Sequence, residues 1–417
     1  MVIFYDFVFF IFALFYLPYA VIRGKWHRDF GMRFGFFTRA MRDRLAGQEN
    51  LWIHAVSVGE VMAVSSFAQD LTQRFPDKRL VISTVTTTGQ EMARKRFPDA
   101  VVLYAPLDFS GSVRRYLRMI KPQIYIAAET EIWPNIFYAL SRAGVPVLQI
   151  NGRISDKSYP RYRRFAWAFR SILSYVTCFC MQTRQDADRL MAIGAPPERI
   201  CVTGNLKFDE AGEASQRRYG KIFCDDGPVL IAGSTHPGEE EIILRVFRRL
   251  RFRFERLRLV LAPRHIERIA QVEALIKHSG LGYGKFSDVL EQHKPAQDVL
   301  LVDTIGHLRH LYAYATVTFI GKTLAGRGGQ NVIEPALCGC PVIVGPHTEN
   351  FRAVVALFQE AQALIVVQNA DELYHRLQEF FANPSLARET GSRACRLIES
   401  QRGAVQRTLE VVIPFLR

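Results

Sequence analysis

Several acidic and basic residues in this chain stand directly after apolar runs, the position where α/β proteins keep their reacting groups. Glu60 follows the run from Leu51 to Val56, within Ser57-Val58-Gly59-Glu60. A carboxylate at such a place can move protons, but Ser57-x-x-Glu60 also has the spacing of a capping box, in which Glu60 bonds back to the Ser57 backbone. Glu129 and Glu131 close the run QIYIAAETEIWPN, and strand alternation predicts both on one side. Paired carboxylates there suit acid–base work or charge stabilisation, and they equally suit salt bridges to the many arginines nearby. Asn151-Gly152-Arg153-Ile154-Ser155 forms a loop after another apolar run, with Arg153 able to grip a phosphate or carboxylate or simply to lie solvated. Gly204-Asn205-Leu206-Lys207-Phe208-Asp209 offers Lys207 as a further anion partner.

The second half repeats the pattern. Ser234, Thr235 and His236 precede a helix whose first turn holds Glu239, Glu240 and Glu241, and helix capping accounts for the hydroxyls without a ligand. Pro263-Arg264-His265 follows the next apolar run, with Arg264 set for a nucleotide phosphate. The segment VTFIGKTLAGRGGQNVIEPALCGCPVIVGPHTENF, Val317 to Phe351, reads as strand, glycine loop, helix and strand. A helix opening between Asn331 and Pro335 would present free N–H groups, and Gly328 and Gly329 would let a phosphate approach them. Gly321-Lys322-Thr323 has no glycine five residues before Gly321, and no strict GxGxxG occurs, so a P-loop kinase and an ordinary dehydrogenase are disfavoured. Asp186-Ala187-Asp188 looks like a metal-binding DxD but lies in a polar helical stretch and is read as a solvated face. No other residues have metal-ligand spacing.

These residues need a scaffold, and alternating apolar runs supply it. Strands are predicted at 51–56, 80–85, 101–105, 124–128, 145–150 and 176–181, and again at 229–232, 257–261, 299–302, 317–320, 341–344 and 364–367, with helical segments between them. Such βα alternation predicts an α/β protein with two mostly parallel, doubly wound, Rossmann-like domains facing a central cleft. The expected division is residues 1–22, a membrane anchor, residues 23–215, and residues 216–417.

The 417 residues are 49% hydrophobic and 23% charged, a globular composition with room for two cores. Residues 1–220 hold 30 Lys and Arg against 19 Asp and Glu, while residues 221–417 hold 24 against 21, so attraction to an anionic partner resides in the first half. Residues 1–22 contain one acid, Asp6, and no Lys or Arg, which makes them a marginal span or an interfacial helix. Arg23, Lys25, Arg28 and Arg33 follow at once, and by the positive-inside rule keep the remainder cytoplasmic. The seven cysteines lie mostly in apolar runs, and the one-residue gaps Cys178/Cys180 and Cys338/Cys340 are not zinc-site spacing, so they read as reduced core residues.

Taken together, HAVSVGE (His54 to Glu60), AETEIWPN (Ala128 to Asn135), NGRIS (Asn151 to Ser155), GNLKFD (Gly204 to Asp209), AGSTHPGEEE (Ala232 to Glu241), APRHIER (Ala262 to Arg268) and GGQNVIEPA with GPHTENF resemble the bacterial Kdo transferases. These enzymes move 3-deoxy-D-manno-oct-2-ulosonic acid (Kdo) from CMP-Kdo to the lipid A precursor. The likeness covers nearly the whole chain. It implies a GT-B architecture, with the acceptor on the first domain and the nucleotide donor on the second. It implies an inverting transfer in which Glu60 is the general base, while Glu131 and Lys207 stabilise the transition state.

The resemblance also implies that Pro263, Arg264, Ile305, Gly306, His307, Asn331, Val332, Ile333 and Glu334 bind CMP. Glu334 would hold the ribose hydroxyls, and helix amides the phosphate. Glu129, Arg153, Ser234, Thr235, His236, Lys322 and Gln330 are further candidate contacts to donor or acceptor. CMP leaves as a complete phosphate monoester, so neither a metal nor a cofactor is expected. The expected partners are CMP-Kdo, the phosphorylated lipid A precursor and an anionic membrane surface, without nucleic acid, at the cytoplasmic face of the inner membrane. Three positions depart from the family pattern: Gly321-Lys322-Thr323 stands where Gly-Gly-Ser is common, Gln330 replaces a histidine, and His307 stands where many relatives carry an acid. The alternatives are a GT-B transferase or epimerase using another nucleotide sugar, and a non-catalytic module that binds anionic membranes or nucleic acid.

Overall fold

The computed structural model describes residues 5–7, 9–11, 29–210, 219, 222–224, 227–292 and 295–416. Two compact units emerge, one formed by Met1–Glu210 with Gln401–Arg417 and the other by Ala211–Ser400. The sequence reading ran the second domain to residue 417. The difference has an apolar cause: Ala404, Val405, Leu409, Val412 and Leu416 are buried in the same core as Leu51, Ile53 and Ile126 of the first unit. Asp209 secures the return, its carboxylate accepting the Gly403 and Val405 amides at 2.8 and 2.7 Å.

In the first unit, β1 (Asn50–His54), β2 (Arg79–Thr84), β3 (Val101–Tyr104), β4 (Pro122–Ala128), β5 (Val147–Gly152), β6 (Cys178–Met181) and β7 (Ile200–Val202) form one sheet. Its order is β3-β2-β1-β4-β5-β6-β7, parallel throughout. A parallel sheet covered by helices on both faces needs strands that are apolar on both sides. β1 answers this as Asn-Leu-Trp-Ile-His, buried at every position. The second unit holds β8 (Val229–Thr235), β9 (Arg258–Pro263), β10 (Tyr283–Lys285), β11 (Val299–Leu301), β12 (Val317–Ile320), β13 (Val342–Val344) and β14 (Leu364–Val366). Their order is β10-β11-β9-β8-β12-β13-β14, again all parallel. β7 and β10 were absent from the sequence reading.

Each sheet reverses its winding once, between β1 and β4 in the first unit and between β8 and β12 in the second. Loops that leave strands at such a reversal splay apart and open the crevice in which open α/β sheets take ligands. The loops in question carry Glu60, Glu129 and Glu131 in the first unit, and Ser234 to His236 and Gly321 to Gly329 in the second.

Among the described residues no helix is long and apolar enough to cross a membrane. The anchor expected over residues 1–22 lies mostly outside the described residues, of which 5–7 and 9–11 are helical. Asp6, its one acid, is tied down: Oδ1 accepts the Ser110 amide at 3.1 Å and the Asn135 side-chain amide at 2.7 Å.

Candidate functional site

After β1 the chain turns at Ser57 into the helix Val58–Ala63, which brings Glu60 back against the strand end. Its carboxylate accepts the Val56 amide at 2.7 Å on Oε2 and the Ser57 hydroxyl at 3.2 Å on Oε1. A capping box would have Glu60 on the Ser57 amide and the Ser57 hydroxyl accepting a helix amide. Neither is present: the amide used is one residue earlier, and Ser57 caps no helix N–H. Glu60 is 8% exposed, and burial pushes its carboxyl up to about 8, against the Val56 hydrogen bond, with the charges of Glu131 and Glu129 adding to the rise. A carboxylate held this way takes up a proton near neutral pH.

β4 ends at Ala128, and Glu129 adopts a left-handed backbone with φ 55°, so strand alternation does not continue to Glu131. The two acids consequently differ in surroundings. Glu129 is ion-paired, with Lys207 Nζ at 3.2 Å from Oε1 and Arg153 Nε at 3.7 Å from Oε2. Glu131 is pushed up to about 7 by burial and by the Glu129 charge. Lys207, read as an anion partner, is held by Glu129, and the arginine that pairs with the same acid is Arg153.

Residues that the sequence reading gave no role set this geometry. Asn151, itself left-handed at φ 55° and buried, accepts the Leu206 amide on Oδ1 at 3.1 Å, while Asn205 Oδ1 accepts the Lys207 amide at 3.0 Å. Asp186, read as part of a solvated face, is 9% exposed and accepts the Ile154 amide at 2.8 Å, fixing the residue after Arg153. Asp108 accepts the Asn135 and Ile136 amides at 3.2 and 3.0 Å and so caps the helix Pro134–Arg142 that follows Glu131.

In the second unit the helix Glu239–Arg251 begins after Gly238, which adopts a left-handed backbone, and no side chain caps it. Capping by the hydroxyls is therefore corrected. Thr235 Oγ1 donates to Glu240 at 2.9 Å, and the fully buried Glu240 is held by both terminal nitrogens of Arg268, at 2.8 and 3.2 Å. His236 Nδ1 lies 3.1 Å from the Ser234 carbonyl, which can only accept, so that nitrogen carries the proton. Burial keeps the ring below its ordinary pKa.

The glycine loop also departs from expectation. Its amides are engaged by the protein's own acids. Glu239, fully buried, crosses from the helix after β8 to accept the amides of Lys322 at 2.7 Å, Thr323 and Leu324 at 2.9 Å, and Ala325 at 3.4 Å. It also accepts the His236 amide at 3.0 Å. Glu349 takes the Gly328 amide at 2.8 Å, and the Gly329 amide bonds the Lys322 carbonyl. Gly321 permits this approach, because a Cβ there would stand 2.5 Å from the Ser234 oxygen and 2.8 Å from Glu239 Oε2. Lys322, at φ 60°, runs its side chain along Gly326 and Gly328.

Of the remaining donor candidates, Asn331 and Arg264 act on Glu334. The helix Ile333–Leu337 is short, with Val332 as its N-cap, and Asn331 closes the turn before it, accepting the Ile333 amide at 3.0 Å and donating to Glu334 at 3.2 Å. Burial raises the Glu334 carboxyl, and the charges of Arg309 and Arg264 pull it back. Arg309, which sequence reasoning missed, is the first basic residue after the Ile305-Gly306-His307 loop. Arg264 is placed by its amide on the Thr235 carbonyl at 3.0 Å, continuing from Pro263 at the end of β9. His307 faces the Tyr219 hydroxyl at 2.8 Å, and Ile305 is exposed. Gln330 lies between Gly329 and this turn.

Two solved structures share this architecture. A UDP-GlcNAc 2-epimerase from Neisseria meningitidis superposes with a TM-score of 0.60 at 14% identity, over 88% of this chain and 100% of that one. MurG of Acinetobacter baumannii gives 0.57 at 13%, over 88% and 99%. The fold is therefore GT-B. The family model for 3-deoxy-D-manno-octulosonic-acid transferase (kdotransferase) matches residues 28–210. The 3-deoxy-D-manno-octulosonic acid transferase of Haemophilus influenzae is 31% identical over 398 residues, which are 94% of this chain and 92% of that protein. A bifunctional glycosyltransferase/methyltransferase of Fusobacterium nucleatum is 34% identical over 346 residues, 80% of this chain and 53% of that longer protein. The chain belongs to the 3-deoxy-D-manno-octulosonic acid transferase family and is a glycosyltransferase.

Proposed function

We propose that this protein transfers Kdo from CMP-Kdo to a phosphorylated, tetraacylated lipid A precursor in lipopolysaccharide synthesis, with inversion and without a metal. Glu60 takes the proton of the acceptor hydroxyl as that oxygen attacks the Kdo anomeric carbon, and the bond to CMP breaks with its electron pair leaving on the phosphate. The observation that carries the assignment is the Glu60 carboxylate: buried, unreciprocated as a cap, and raised to about 8. Lys207, paired with Glu129, is the cation at the same strand ends, and Glu131 follows two residues after Glu129. In the second unit, Glu334 holds the ribose, and Arg264 and Arg309 meet the phosphate. The amides bonded to Glu239 are not assigned to the donor.

A location at the cytoplasmic face of the inner membrane rests on surface chemistry. Trp167 and Phe165 are 79% and 48% exposed, beside the exposed Arg161, Arg163, Arg164 and Arg170 on the helices Tyr159–Arg164 and Ala166–Leu173. Exposed aromatics flanked by arginines suit a lipid headgroup layer. Asp6 bonds to Asn135, at the start of the helix after Glu131, so Asp6 is joined to the first unit close to that loop.

The test is a transfer assay with CMP-Kdo and tetraacylated precursor in detergent with chelator, comparing wild type with Glu60→Gln and reading products by mass spectrometry. Transfer by wild type, with a loss of about 10²-fold or more in the variant, is expected. No transfer by wild type from this donor to this acceptor would reopen both substrates. A fully active Glu60→Gln would return Glu60 to a structural role.

A further inference from the structure

The seven cysteines divide into three that meet in space and four that do not join them. In the parallel pair β6 and β7, Cys180 is the register partner of Cys201. Paired residues of parallel strands face the same side, and Cys178, two residues from Cys180, shares that side. The Cys201 sulfur accordingly lies 4.0 Å from that of Cys178 and 3.7 Å from that of Cys180, and all three fall within 4.8 Å of one another. Cys180 is buried, while Cys178 and Cys201 are partly buried against the apolar core of the first unit.

We propose that Cys178, Cys180 and Cys201 form a three-thiolate site for a soft monovalent ion, copper(I). The spacing fits the geometry. Three sulfurs at about 2.3 Å from a central ion stand about 4.0 Å apart when trigonal and about 3.8 Å apart when pyramidal. The separations of Cys201 from its two neighbours span these values, whereas a disulfide would need the sulfurs to close to about 2.05 Å. The ligand set selects the ion. Among the described residues no histidine or carboxylate joins the group, and a structural zinc site takes four ligands, whereas thiolates alone favour copper(I). The surrounding apolar side chains limit water access, which protects a low oxidation state.

Loading exchanges thiol protons for the ion, so affinity rises with pH. The site is independent of Glu60 and of the donor residues, and of the transfer reaction assigned to them.

The experiment uses the full chain in detergent, reduced and anaerobic, titrated with the copper(I)–bicinchoninate complex. Wild type should withdraw one copper per chain, with thiolate-to-copper absorption in the ultraviolet and three sulfurs at about 2.3 Å by X-ray absorption. Cys201→Ser and Cys178→Ser should weaken binding by more than the roughly 10–100-fold that an outer-sphere change costs, and the exposed Cys224→Ser should leave it unchanged. Alkylation read by mass spectrometry supplies a measurement free of variants: copper should protect the partly buried Cys178 and Cys201, and not Cys224. Equal copper withdrawal by Cys201→Ser, or uniform protection, would overturn the site. Tight zinc retention without copper binding would overturn the choice of ion. An intramolecular disulfide formed in air with no metal affinity in the reduced chain would replace the metal site by a redox pair.

Discussion

Lys207 Nζ lies 3.2 Å from Glu129 Oε1, so the cation of the candidate acceptor site is balanced by the one acid of its loop that is ion-paired. Glu129 also pairs with Arg153, and its charge adds to the rise that burial gives the Glu131 and Glu60 carboxyls. Glu129→Gln should therefore lower both pKa values and move the acid limb of the kcat/KM profile to lower pH, as a pH–rate series would show. Lys207→Met should lower kcat/KM by about 10²-fold, because an oriented charge in a water-poor site is lost.

Glu60 should leave a mark on stability as well as on rate. Its folded pKa is about 8 against an ordinary 4.5, so the folded protein holds the extra proton between those values, and stability falls as pH rises through that window. In Glu60→Gln that fall is absent. Thermal unfolding should show the variant matching wild type at pH 4 and exceeding it at pH 9 by on the order of 1–3 kcal/mol. A cap carboxylate would give the opposite result, since its loss would destabilise the protein at pH 9.

Glu239 behaves as an internal anion for the loop after β12. Glu239→Ala would strand buried amides and should cost on the order of 3 kcal/mol or more. Millimolar phosphate or sulfate should recover part of that loss in the variant and have little effect on wild type, whose amides are already paired. Chemical denaturation with and without the anion reads both.

Membrane attachment through the helices Tyr159–Arg164 and Ala166–Leu173 predicts a salt-sensitive term. Each arginine near an anionic surface contributes about 1 kcal/mol, so replacing Arg161, Arg163 and Arg164 by serine should lower partitioning into phosphatidylglycerol vesicles by more than tenfold at low salt. At high salt the gap should shrink. Trp167→Ser should weaken binding at both salt concentrations in a co-sedimentation assay.

Much of the architecture was legible because buried parallel strands are continuous apolar runs, and twelve of them stand out along the chain. β7 and β10 did not. Ile-Cys-Val and Tyr-Gly-Lys are three-residue edge strands, too short for a pattern and needing only one neighbour. The site residues were visible as acids and bases after strands, yet their pairing was not. The pairing of Lys207 with Glu129 depends on the left-handed turn at Glu129, and that of the loop amides with Glu239 joins residues more than 80 positions apart. Cys201 escaped notice for the same reason, since its partners lie across a strand register and not along the chain.

The return of residues 401–417 to the first unit makes the second unit, topologically, an insertion within the first. Damage to residues 401–417 is thus felt around Leu51 and Ile53. A chain cut after residue 400 keeps all seven strands of the second sheet, yet loses the segment bearing Val405, Leu409 and Val412 from the core beneath β1, the strand that leads to Glu60. Loss of residues 401–417 would disable the unit that holds Glu60 and spare the unit that precedes the cut.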